Sequence, residues 1–348
     1  MGSEYFHEVA RLTGTRVWIN NPTGEDLEKA ITAGAVSGTT NPSYCSKLLR
    51  NEPDYVYPII DQVIREVKDN EVAADQVFQR VTSRFMRRFL PLYEKRGGTE
   101  GFVTMQDDPE KDGDADLIVQ AAQRHSRVGR NFMAKIPIIE SGMEAMSRLI
   151  EESIPICATE CFSIAQTIAM GDLYESVSKR TGNTPPFFIT HITGIFDEDI
   201  QELVEREDIS IDPRILSQAG SIIARKEYRI IQERDYHATM LGGGARGLHH
   251  FTEFVGGNAH VTMNWSTFDE LMQSDTPVVA QMDTVDSPDV IAELCEKLPE
   301  FQRAYNEDGY TSGEFGQIPG LIRFRNSFIE GWTHLMSEIE KRRTLISA

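Results

Sequence analysis

Residues 132–159 read FMAKIPIIESGMEAMSRLIEESIPICAT. An apolar run at 132–136 is followed by an amphipathic stretch at 141–152 and a second apolar run at 155–159. Short runs that are apolar throughout belong to strands buried on both faces, and strand–helix–strand spacing makes their sheet parallel with helices outside it. Ser141 and Glu144 stand at capping-box spacing just ahead of the amphipathic stretch. Outward from this segment the unit repeats. Strands are expected at 15–20, 35–40, 102–106, 186–192, 238–242 and 259–263. Amphipathic stretches lie at 24–33, 54–69, 73–97, 114–128, 162–181, 197–206, 213–234 and 247–255. Eight strands in this alternation predict an α/β fold, a (β/α)8 TIM barrel spanning 1–280. A doubly wound open sheet is the alternative, but no Gly-x-Gly-x-x-Gly follows the first strand. Beyond residue 265 the pattern is helical, so 281–348 is expected as a C-terminal helical extension packed on the barrel. Within it, the polar, Gly-rich segment 303–318 predicts a surface loop. Phe324, Phe328, Trp332 and Leu335 recur near helical spacing over 319–343. Packing on the chain's own barrel is the expected role of these aromatics; covering the mouth or a subunit contact are the alternatives.

Composition bounds the function. The 348 residues carry 35 Lys+Arg against 54 Asp+Glu, a net charge of −19. That field repels nucleic acid and anionic membranes at long range, so a small molecule is the expected partner. Mean hydropathy is −0.35 and no run of about 18 apolar residues occurs, which argues against a membrane span. The start, Met1 to His7, lacks the basic-then-apolar order of a secretory signal. Cys45, Cys157, Cys161 and Cys295 do not make a disulfide scaffold, and no zinc-ligand spacing completes the 157/161 pair. A cytoplasmic location is expected.

In a barrel, functional groups sit at the C-terminal ends of the strands. Lys135 lies inside an apolar strand, where desolvation lowers an amine's pKa and makes it a nucleophile; a strand-end lysine reaching solvent is the plainer alternative. Gly38-Thr39-Thr40-Asn41-Pro42-Ser43 follows the second strand, offering hydroxyl and amide groups to a polar substrate or simple turn chemistry. Leu241-Gly242-Gly243-Gly244-Ala245-Arg246-Gly247 follows the seventh strand, where backbone N–H groups and an arginine suit an anion; a flexible loop with a surface arginine is the equal alternative. His191 ends the sixth strand, where it is a candidate titrating group for the mouth; alternation from Thr190 favours the helix side and a structural role instead. His249 and His250 are adjacent and so are expected to point apart, against a metal pair.

These segments together resemble the transaldolase family, which includes the fructose-6-phosphate aldolases, from about Thr15 to about residue 275. The resemblance rests on Gly38–Ser43, on Lys135-Ile136-Pro137 with Glu140–Met143, and on Thr159–Ser163 with Ala165-Gln166. Tyr236–Gly247 and Ala259–Met263 complete it. It implies a (β/α)8 barrel and class I aldol chemistry. A lysine forms an imine with a ketose or ketose phosphate, the C3–C4 bond breaks, and a dihydroxyacetone unit passes to an aldehyde or is released. No metal and no cofactor are implied. Lys135 matches the Schiff-base lysine, Asn41 the asparagine on the donor hydroxyls with Thr39 beside it, Thr159 the threonine holding the catalytic water, and Arg246 one phosphate-binding arginine in the Gly244 loop. Thr190 stands where the family has a serine.

The chain also departs from that pattern. Asn20 occupies the place of the aspartate that transfers a proton at the C4 hydroxyl, and an amide cannot do so at neutral pH. Gln106 replaces the glutamate that activates water in transaldolases, although a glutamine occurs among the fructose-6-phosphate aldolases. Cys157 replaces an asparagine, Ile195 the second arginine, and Ile192 an aromatic residue. Three readings follow. One is an aldolase with another acid/base, such as His191 or a water. Another is a binding or regulatory protein on the same barrel. The third is an enzyme whose aspartate at position 20 has been substituted. A lyase for a non-phosphorylated sugar is a variant of the first. Sugars or sugar phosphates are the expected ligands, with a homo-oligomer left open.

Overall fold

All eight apolar runs form strands, and they close in sequence order into a parallel barrel. The computed structural model describes residues 4–347; Met1–Ser3, at the start of the N-terminal stretch read above, lie outside the described residues. Helix α1 (Tyr5–Leu12) precedes β1 (Arg16–Asn20). Then come α2 (Gly24–Thr32), β2 (Ser37–Thr39), α3 (Tyr44–Asn51), α4 (Pro53–Glu66), α5 (Asn70–Lys95), β3 (Val103–Met105), α6 (Ala115–His125) and β4 (Phe132–Pro137). The order continues with α7 (Glu140–Glu151), β5 (Ile156–Cys161), α8 (Ile164–Thr181), β6 (Phe187–His191), α9 (Thr193–Arg206), α10 (Pro213–Leu216) and α11 (Ala219–Glu233). β7 (Thr239–Gly242), α12 (His249–Thr252), β8 (Ala259–Met263) and α13 (Trp265–Gln273) complete the barrel. The tail holds α14 (Pro288–Lys297), α15 (Pro299–Tyr305) and the long α16 (Pro319–Ser347). Among the described residues no helix is long and apolar enough to cross a membrane.

The two-residue period of a strand sorts the side chains into two cores. Val17, Ile19, Ala134, Ile136, Ile156, Ala158, Ile189 and Met240 face outward into the main core beneath the helices. Trp18, Met133, Cys157, Phe188 and Leu241 face inward and, with Phe102, fill the barrel axis. Two residues further along the same inward rows stand Asn20, Lys135, Thr159, Thr190 and Gly243, which line a pocket. β1, β4, β5 and β6 therefore each place an apolar plug below and a polar side chain at the mouth. Buried at the axis, Trp18 Nε1 donates to His260 Nδ1 at 2.8 Å.

Three local expectations need correction. The cap of α7 is Ile139, with no side-chain cap; Ser141 lies inside the first turn, and its Oγ donates to the Asp112 carbonyl instead. The amphipathic stretch at 213–234 is broken at Ser217-Gln218 into α10 and α11, and that at 247–255 is only the short α12. Segment 303–318 is not a plain surface loop: it holds the end of α15 and a 3-10 turn at Ser312–Gln317, and Tyr310, Phe315 and Ile318 are buried. Its polar residues ride outside while these three anchor it.

Helix α16 crosses back over the mouth side, against α3, α4, α5 and α9. Ser43 Oγ donates to the Ser327 carbonyl at 2.9 Å, and Arg323 bonds Asp199 and Glu202. Gly331 permits the closest approach: a Cβ there would lie 2.3 Å from Ser43 Oγ. Phe328, Trp332, Leu335 and Ile339 are buried along one face, at the spacing of a helical stripe.

Candidate active site

The pocket at the strand ends is lined by Asn20, Thr39, Asn41, Lys135, Cys157, Thr159, Thr190, Gly244 and Arg246, with Thr262, Asn264 and Phe324 among others. Of the residues assigned a site role by the family resemblance, all but Gln106 lie on this lining. Asn20, Asn41, Arg246, Asn264 and Phe324 also border a wider outer basin that takes in Lys47 and Arg50, so the pocket opens there.

Lys135 sits on the inward face of β4, in register with Cys157 of β5, and is only 7% exposed. Its Nζ donates to the Thr40 carbonyl at 3.5 Å and lies 5.4 Å from the centre of the Phe328 ring. No carboxylate forms an ion pair with it among the described residues. Burial holds the amine below its ordinary value, while Cys157 and Glu160 push the other way.

On the β1–β2 side, Asn20 and Thr39 are register partners. Thr39 Oγ1 donates to Asn20 Oδ1 at 2.9 Å and lies 2.7 Å from Thr262 Oγ1, and Asn20 Nδ2 donates to Asn264 Oδ1 at 3.1 Å. Asn41 Oδ1 accepts from Ser43 N and Asn21 Nδ2, which fixes its amide at the start of α3. Cys157 Sγ lies 3.1 Å from Thr190 Oγ1, and burial pushes the thiol up.

After β7 the backbone turns at Gly244, φ +66°, a region that favours glycine. Arg246 follows, but its Nε donates to Glu198 at 2.7 Å on the exposed rim. Ile195 is buried, so its position adds no charge to the pocket.

The histidines are placed as follows. His191 is fully buried behind the sheet, with Nδ1 3.6 Å from Glu227 and Cys161 nearby, and burial holds it down to about 3. It faces the helices, so it is no acid/base for the mouth. His249 and His250 do not point apart: their ring centroids lie 3.9 Å apart, tilted by 47°, beside Asp197. His250 has both nitrogens engaged, Nδ1 accepting from Arg246 N and Nε2 lying 2.8 Å from Asp197.

Glu160 was not singled out from the sequence. Strict alternation after Thr159 would turn it outward. Instead β5 carries one extra residue between Ala158 and Cys161 relative to β6, and Glu160 takes φ +61°. That bulge returns Cys161 to the outer core and brings the Glu160 carboxylate to Gln106 Nε2 at 2.9 Å. Both side chains are buried. A carboxylate within an otherwise apolar strand, next to a site threonine, was the available signal.

A family model described as Transaldolase/Fructose-6-phosphate aldolase matches residues 17–311. The chain is similar to the transaldolase of Mycobacterium ulcerans (strain Agy99), 25% identical over 242 residues covering 63% of this chain and 62% of that protein. It is similar to the transaldolase of Mycolicibacterium paratuberculosis (strain ATCC BAA-968 / K-10), 23% identical over 374 residues covering 94% and 95% of the two chains. The transaldolase of Thiobacillus denitrificans (strain ATCC 25259 / T1) is 26% identical over 262 residues, 69% of this chain and 70% of that protein. The chain thus spans somewhat under two thirds of the Mycobacterium ulcerans protein, and nearly all of the Mycolicibacterium one. Because the model match runs through all eight strands and into the tail, the chain belongs to the transaldolase/fructose-6-phosphate aldolase family.

Proposed function

We propose that this protein carries out class I aldol cleavage or transfer on a ketose or ketose phosphate, with Lys135 as the imine-forming nucleophile. The observation that carries the reading is the setting of Lys135: an amine inside a barrel mouth, without an ion-pair partner among the described residues, and kept below its ordinary pKa by burial. Burial disfavours the charged form of such an amine, and it is the neutral amine that attacks a carbonyl; the protonated imine then formed accepts the electrons of the breaking C3–C4 bond. Asn41 and Thr39 orient the donor hydroxyls, with Cys157 and Thr190 on the opposite wall. Asn20 binds on the C4 side as a hydrogen-bonding amide. Thr159 and Gln106 hold water near the imine. The Gly244 turn and Arg246 receive an anionic acceptor end.

The test is borohydride trapping across a panel of ketoses and ketose phosphates, with peptide mapping. Wild-type protein is expected to gain a reduced adduct on Lys135, and Lys135→Ala to lose both adduct and turnover. Turnover that survives Lys135→Ala would sink the reading.

Arg246 favours a second substrate reading. Its guanidinium is already engaged by Glu198, and the neighbouring position is the buried Ile195. A ketose without phosphate, or with another anionic end, fits that charge pattern. Equal or higher kcat/KM for non-phosphorylated ketoses supports it, and strict dependence on phosphate overturns it.

A further inference from the structure

We propose that Glu160 is the acid/base of this site, moving protons for the Lys135 imine through a water held with Gln106 and Thr159. This rests on the reading of Lys135 as the imine-forming lysine. Gln106 Oε1, Thr159 Oγ1 and Glu160 Oε2 are each buried and without a hydrogen-bond partner among the described residues. They belong to the ends of β3 and β5, the strands on either side of β4 and its lysine. Three orphaned acceptors or hydroxyls on the two strands that flank a buried amine are groups that a polar small molecule would satisfy, since each unpaired group carries a desolvation penalty.

The backbone supports a dedicated role. A non-glycine residue at φ +61° is strained, and such strain persists where the surroundings hold it in place. Gln106 Nε2 does so by donating to Glu160 Oε1. Gln166 Nε2 adds to it by donating to the Glu160 carbonyl. The charged groups facing the carboxylate are Lys135 from β4, Arg325 from α16 and Asp112 from the loop before α6. Burial outweighs the Gln106 hydrogen bond and the two cations and raises Glu160 to about 7, where a carboxyl can both give and take a proton at neutral pH.

The proton is lent and returned. The Lys135 amine adds to the ketose carbonyl carbon, giving a carbinolamine. Protonated Glu160 gives its proton to the carbinolamine hydroxyl, the C–O bond breaks, and water leaves as the C=N bond forms. The Glu160 carboxylate then takes the C4-hydroxyl proton through that water. The C3–C4 pair moves into the imine, which becomes an enamine, and the aldehyde departs. Asn20 cannot accept that proton, so the carboxylate of β5 does the work on this route.

The experiment follows the rate of borohydride-trapped adduct formation with dihydroxyacetone and with fructose 6-phosphate, together with turnover, from pH 5 to 9. Glu160→Gln is expected to slow both by about 100-fold while Lys135 still reaches full adduct on long incubation. The wild-type profile is expected to inflect near pH 7, and Glu160→Gln to lose that inflection. The double variant Gln106→Glu/Glu160→Gln returns the carboxylate to the pair from the other strand. It is expected to recover at least ~10-fold of the lost rate, which a merely structural Glu160 would not allow. If wild-type protein forms adduct but Glu160→Gln keeps its rate within about threefold and its pH profile, this inference is overturned and the lysine reading stands. If wild-type protein forms no adduct, the lysine reading falls and this one with it. Should Glu160→Gln fail to fold, the wild-type profile decides: a rate flat from pH 6 to 8 overturns the proposal.

Discussion

Asn20 sets the chemistry of the β1 end at the level of single atoms. Its oxygen accepts from Thr39 and its nitrogen donates to Asn264, so the amide is a fixed connector with no proton to exchange. Asn20→Asp keeps the shape and replaces the donor by an oxygen, which the Asn264 amide can meet by turning over. With the proton carried by Glu160, this change is expected to alter kcat by less than about threefold, measured on whichever ketose gives the Lys135 adduct. A rise of ~100-fold would instead mark the β1 end as the place of the missing proton acceptor. The two key residues differed in how openly the sequence displayed them. Lys135 stood out because a lysine amid Phe132, Met133, Ala134 and Ile136 must either reach solvent or be held desolvated, and the fold buries it. Glu160 did not, because a two-residue period assigned it to the outer face. A one-residue bulge leaves no mark in composition.

At the scale of elements, α16 turns an open mouth into a covered one. Phe324 lines the pocket and Phe328 sits over the Lys135 amine, while Arg325 reaches back to the Pro109 carbonyl. The seating depends on Gly331, where the helix meets Ser43 with no room for a side chain. Gly331→Val is expected to lift this part of the helix. Overpacking of this kind costs roughly 1–3 kcal/mol. A lower urea midpoint with an unchanged slope would register it. KM for the ketose should rise together with it, because both aromatic rings move with the helix. A variant with normal KM despite lost stability would separate the helix from the site. The helical stripe of Phe328, Trp332 and Leu335 was legible as spacing. Its landing place was not, since nothing local in 319–343 encodes which of several apolar surfaces it meets. Segment 303–318 misled in the opposite way, its Asn, Asp, Gly and Ser content hiding three buried apolar anchors.

For the molecule as a whole, the eight-strand count was readable because parallel strands are apolar on both faces and so announce themselves without partners. What that count could not reveal is how many ionisable groups the fold takes out of water, and these govern its response to pH. Burial raises Glu160 to about 7 and Glu227 to about 8, and lifts Asp112 well above the usual carboxyl range. These groups hold more protons folded than unfolded. The stability they lend is complete below the unfolded value near 4.5 and is lost as pH rises through 7 and 8. His191 and His260 are held neutral, both brought down to about 3 from 6.5. Their stability is complete above 6.5 and is lost as pH falls toward 3. Between about 4.5 and 6.5 the two sets oppose each other, and above 6.5 only the carboxyls still titrate. Unfolding by urea is therefore expected to show a lower midpoint at pH 8.5 than at 6.5. At 1.36 kcal/mol per unit, Glu160 and Glu227 together account for a difference on the order of 2–3 kcal/mol. Glu227→Gln should remove the larger part of that difference, because its folded value lies further above 6.5 than that of Glu160. A midpoint that stays level from 6.5 to 8.5 in the wild-type chain would mean that these carboxyls reach water in the folded protein.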